Sequence, residues 1–192
     1  MSPAWRKLVL TSHVLTSVGW LGAILVFLAL GITATFSSDT GTVQAVYLVL
    51  EPAGWAALVP LAVASLVTGL IESLGTVWGL FRHYWVIFKL IINLAAVGVL
   101  LLYMQTLAIL ADVAASTTLA SDDEALLRGP SVTLHSALAL ALLVIAAILA
   151  VYKPRGMTSF GHRRQARPSE PTTGPQETRD ETYRLDARSW RS

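Results

Sequence analysis

The chain contains no cysteine. Disulfides, thiolate metal sites and cysteine nucleophiles are therefore excluded. Charge is scarce too. Asp, Glu, Lys and Arg make up 14% of the 192 residues, against roughly 25% in an average soluble domain. There is no glycine-rich phosphate loop, no GxSxG elbow, no HExxH and no pair of histidines one turn apart. No basic patch interleaved with aromatics is present, which removes nucleic acid as a partner.

What the chain has instead is long apolar runs. Hydrophobic residues make up 54% of it and the mean hydropathy is +0.61. Four runs span about 8–36, 53–74, 85–111 and 132–152. Each meets the roughly 20 residues needed to cross ~30 Å of hydrocarbon at about 1.5 Å per residue. They are apolar nearly all round, whereas a soluble helix keeps a polar face. The first run exceeds the roughly 7–15 residues of a signal-peptide core, so it reads as a span. The expected fold class is all-α: a four-helix transmembrane bundle over residues 1–152, followed by a disordered tail, 153–192. That tail is poor in branched aliphatics and rich in Arg, Ser, Thr, Pro, Gln and Glu.

Loop charge sets an expected orientation. Arg6 and Lys7 precede the first span, Arg82 lies between the second and third, and Lys153, Arg155, Arg163, Arg164 and Arg167 follow the fourth. The intervening segments carry Asp39 on one hand, and Asp112, Asp122, Asp123 and Glu124 against Arg128 on the other. Cytoplasmic loops retain Lys and Arg. All three basic segments fall on one side of an even-numbered topology. Both termini are expected in the cytoplasm, with the protein in a bacterial plasma membrane.

Two local features refine the plan. The stretch 43–51 is apolar but borders Pro52, and the residue before a proline is biased away from helix. It reads as an interfacial segment feeding the second span; the alternative is one long helix bent at Pro52 and Pro60. In the acidic loop, Ser121 followed by Glu124 has the spacing of a helix start, with Ser121 as cap.

Ionisable residues inside spans are expensive and raise functional hypotheses. These are His13, Glu72, Lys89 and His135, with Asn93, Gln105 and Glu51 as weaker cases and His83 at the mouth of the third span. His13, Ser17 and Trp20 share one helical face, as do Ser65, Thr68 and Glu72, and Lys89 and Asn93. Depth along the helices brings His13, Glu72 and Lys89 to one layer, with a Glu72–Lys89 pair expected within it. His135 lies at the opposite depth. A lone imidazole suits haem iron or a divalent metal. It equally suits a hydrogen bond to a serine or carbonyl.

The segment His13-Val14-Leu15-Thr16-Ser17-Val18-Gly19-Trp20-Leu21-Gly22 resembles the first helix of CopD-like copper-resistance domains and of HemJ-type protoporphyrinogen oxidases. Trp85-Val86-Ile87-Phe88-Lys89-Leu90 resembles the HemJ-type Trp-x-x-x-Lys-Leu pattern. The overall layout is similar to a family of four-helix predicted integral membrane proteins of actinobacteria. The HemJ-type resemblance implies haem b on His13 and a functional role for Lys89. Gly22 leads into Ala23-Ile24-Leu25 rather than a Pro-Arg stretch, and copper-type Met and Cys ligand sets are missing. The expectation is a non-enzymatic membrane protein, with haem or metal binding through His13 as its candidate chemistry. The alternatives are a HemJ-type oxidoreductase, and an accessory subunit or copper-handling protein. Its partners are the bilayer and either a second copy or another membrane protein.

Overall fold

A computed structural model describes residues 2–75 and 84–152. The turn that carries His83 and the tail expected to be disordered lie outside the described residues. Apart from short connections at 37–39, 115–120 and 128–130 the described chain is helical, with four helices long and apolar enough to cross a membrane.

Helix α1 (Pro3–Phe36) starts five residues earlier than its apolar run. Ser2 caps it by accepting from the Trp5 backbone N at 3.3 Å, and Pro3 takes the first helical position, where no N–H is needed. Helix α2 (Thr40–Ala53) is capped by Asp39, which accepts from Thr42 N at 2.9 Å and Thr42 Oγ1 at 2.6 Å. These bonds hold the Asp39 carboxyl below its ordinary pKa. A π turn (Gly54–Leu58) joins α2 to α3 (Val59–Gly75) without a break. Helix α4 (Tyr84–Ala114), the short α5 (Ser121–Leu127) and α6 (Ser131–Tyr152) complete the bundle.

The expected break before Pro52 does not occur. The stretch 43–51 is helical and inside the bundle. Val43, Val46, Tyr47 and Leu50 recur at helical spacing and are all buried. Packing of that face outweighs the local bias of the residue before a proline. The second proline is absorbed by the π turn. In a regular helix the Pro60 ring would collide with the Ala56 carbonyl. The wider turn ends immediately before it, with Val59 N–H bonded to Gly54 O. Gly54 allows the bend to approach α4 closely: a Cβ there would stand 2.7 Å from Met104 Cε.

The helices form a ring in which α1 packs on α3 and α6, and α4 packs on α2, α3 and α6. Helices α1 and α4 are therefore diagonal neighbours. The apolar core includes Trp20, Ile24 and Phe27 of α1, Tyr47 and Leu50 of α2, and Met104 and Leu107 of α4. It fills the part of the bundle nearer the 36–40 and 114–131 connections. The opposite end, where residues 3, 75, 84 and 152 lie, holds the polar side chains.

Helix α5 closes the core end. Leu127 is fully buried and its carbonyl accepts from Tyr47 Oη at 2.6 Å. Gln44 Nε2 donates to Ala114 O and Ser116 O, both at 3.0 Å, which satisfies carbonyls at the end of α4. Ser121 is the first helical residue rather than the cap. The cap position is Ala120, whose N–H donates to Asp123 Oδ2 at 3.2 Å. Glu124 is engaged elsewhere: it pairs with Arg128 at 2.6 Å and accepts from Thr40 Oγ1 at 2.7 Å. Arg128 and Thr40 together hold its carboxyl below the usual glutamate range.

The outward surface is hydrocarbon. Leu15, Leu102 and Val151 are 67%, 72% and 76% exposed. Exposed apolar side chains ring all four long helices, as a lipid environment requires.

Candidate functional site

At the polar end, His13 of α1 joins two other helices. Its Nδ1 lies 3.1 Å from Ser65 O and 3.2 Å from Thr68 Oγ1, both on α3. A carbonyl can only accept, so Nδ1 carries the proton. Thr68 gives its own hydroxyl proton to Ala64 O at 2.7 Å, so it also accepts from the imidazole. Nε2 is left with a lone pair. Lys89 Nζ of α4 donates to it at 3.3 Å. The hydrogen-bond pattern thus assigns a neutral imidazole that bridges the diagonal between α1 and α4.

Neighbouring groups fix this arrangement. Ser17, one turn above His13, meets Ser65 Oγ at 2.8 Å. Asn93 donates to the Lys89 carbonyl at 2.8 Å, so it serves its own helix. Gly69 lies against the ring: a Cβ there would be 2.9 Å from His13 Cε1. His13, Lys89 and Glu72 are all half-buried.

The expected Glu72–Lys89 ion pair is not formed. Among the described residues the one ion pair is Glu124–Arg128. Among the described residues no hydrogen bond joins Glu72 to Lys89 or His13, and Lys89 Nζ bonds His13 instead. Depth follows from residue count along a helix, but azimuth does not, and Lys89 reaches across the bundle to α1.

Other candidates stand apart. His135 is exposed on α6; its Nδ1 bonds Ser131 O at 2.8 Å, within its own helix, and its ring stacks on Tyr103 at 4.1 Å. Glu51 is half-buried in α2 and Gln105 is exposed on α4. Sequence reasoning missed the state of Trp20. Its side chain is 2% exposed, and its indole N–H has no acceptor among the described residues. Its place on the His13–Ser17 face was the available signal.

Among the described residues, no three of His, Cys, Asp and Glu converge as metal ligands. Haem b on His13 does not fit the side chains as they stand. The Nδ1–H bond to α3 is the kind that turns Nε2 toward a ligand, but Lys89 Nζ stands 3.3 Å from Nε2 and Gly69 lies against the Cε1 edge, so an iron at Nε2 would need Lys89 to move aside. Comparison of the chain with protein-family models, curated proteins and solved structures returns no match.

Proposed function

We propose that the chain is a non-enzymatic integral protein of the bacterial plasma membrane, a helical component of a membrane assembly, with both termini in the cytoplasm. The observation that supports this reading is the use of both His13 nitrogens between helices. A catalytic imidazole needs a nitrogen within reach of a substrate proton. This one is consumed in holding α1, α3 and α4 together. In lipid such a bond has no competing water, and interhelical polar contacts of this kind are worth about 0.6–2 kcal/mol. The orientation rests on Arg6, Lys7 and Lys153 against the acidic segment 112–124.

The visible spectrum tests the reading. Protein purified in detergent from cells supplied with a haem precursor should show no Soret band, and His13→Ala should give the same spectrum. A Soret band in the parent chain that disappears in His13→Ala would overturn it in favour of the HemJ-type alternative.

A further inference from the structure

We infer that the exposed face of α4 docks a second copy of this chain, with the Gln105 amides of the two copies hydrogen-bonded to each other. This deepens the reading of an assembly component by naming the partner, but it stands on different residues. Gln105 and Thr106 are both exposed on α4. Gln105 lies seven residues before Asp112, about 10 Å along the helix and inside the hydrocarbon. Thr16, Thr33, Thr35 and Thr68 return their hydroxyls to a carbonyl of their own helix. No such bond is made by Thr106, and Gln105 has no side-chain hydrogen bond among the described residues. Lipid supplies neither donor nor acceptor. A partner must therefore come from another chain.

The chemistry favours a second copy over an unlike protein. A primary amide carries both a donor and an acceptor, so it is its own complement. A two-fold axis along the membrane normal places the two Gln105 residues at the same depth, facing one another. The backbone at this face permits close approach. Ala95 and Gly98 are exposed on the same side of α4, and a Cβ at Gly98 would meet nothing within 4 Å in its own chain. Small residues of this kind are what let membrane helices pack closely. Leu102 and Ile109, 72% and 61% exposed, flank the amide on that face.

The absence of native cysteine makes the test direct. Leu102→Cys and, separately, Ile109→Cys should each give a disulfide-linked dimer on oxidation in native membranes. Leu138→Cys, equally apolar and exposed on α6, should not. Gln105→Leu should lower the association constant at least tenfold, and Gly98→Leu should do the same. Gln105→Leu, at an exposed position, should leave the thermal stability of the monomer unchanged, and Gly98→Leu, with open space at its added Cβ, should leave it unchanged or slightly raised. Dimer at Leu138→Cys as strong as at the two α4 sites, no dimer at either α4 site, or dimerisation untouched by Gln105→Leu would each overturn the inference. An adduct of different mass would overturn the second copy and leave the assembly reading standing. A Soret band would do the reverse.

Discussion

Removing the His13 side chain should destabilise the bundle by about 2–4 kcal/mol, the largest single effect expected at the polar end. Two contributions add. A large-to-small change in a packed site leaves a cavity, typically worth about 2–5 kcal/mol when fully buried; His13 is half-buried, so the low end applies. The change also strips Lys89 Nζ of its acceptor, at about 1 kcal/mol or more for an unmet polar group. Lys89→Ala should cost less, about 1–2 kcal/mol, because the imidazole keeps its α3 bonds. The double variant should then be less harmful than the sum, by a coupling of about 0.6–2 kcal/mol. The corresponding Glu72–Lys89 coupling should be smaller, since no ion pair joins those two. Reversible unfolding in mixed micelles measures all of these. Strict additivity for His13 and Lys89 would mean that the diagonal bond contributes nothing.

The second large effect is expected at the crossing of α1 and α6. Gly31 is buried there, and a Cβ at that position would stand 3.0 Å from Thr133 N, 3.0 Å from Thr133 Oγ1 and 3.0 Å from Val132 Cγ1. One of those neighbours is backbone and cannot swing away. Gly31→Val must therefore push the two helices apart, and overpacking of this type costs about 3 kcal/mol. Gly22 gives the matched control on the same helix. Nothing lies within 4 Å of its added Cβ, and glycine inside a helix is worse than alanine by roughly 0.5–1 kcal/mol. Gly22→Ala should thus be neutral or mildly stabilising. Equal losses for Gly31→Val and Gly22→Ala would show that the close α1–α6 approach at Gly31 does not set the cost.

The four spans were legible because composition alone decides them. Runs such as 85–111 are apolar on every face, and only hydrocarbon accommodates that. The helix through Pro52 runs against the local bias of the residue before a proline, because burial of its inner face governs there. The buried set Val43, Val46, Tyr47 and Leu50 carried the correct period. The polar layer was legible in depth but not in pairing. Counting residues from the helix ends puts His13 and Lys89 at one level. Whether Lys89 turns to Glu72 or to His13 depends on helix rotation, which no residue count supplies. The α5 cap shows the same limit. Ser121 and Glu124 have capping-box spacing, yet Glu124 takes Arg128, a charged partner, and accepts from Thr40 as well.

The central claim is that α1 and α3 meet in one fixed register, with the His13 face against Ser65 and Thr68. Ser17 Oγ and Ser65 Oγ stand 2.8 Å apart. A sulfur at each site is within a small shift of bonding distance, and the chain has no other thiol to compete. The measurement is intramolecular disulfide formation in Ser17→Cys/Ser65→Cys, oxidised in native membranes and read by mobility or mass. The control is Ser17→Cys/Ser73→Cys, eight residues further along the chain, about 12 Å along α3. Near-complete closure is expected for the first pair and none for the second. An unbonded first pair, or a second pair that closes as readily, would contradict it.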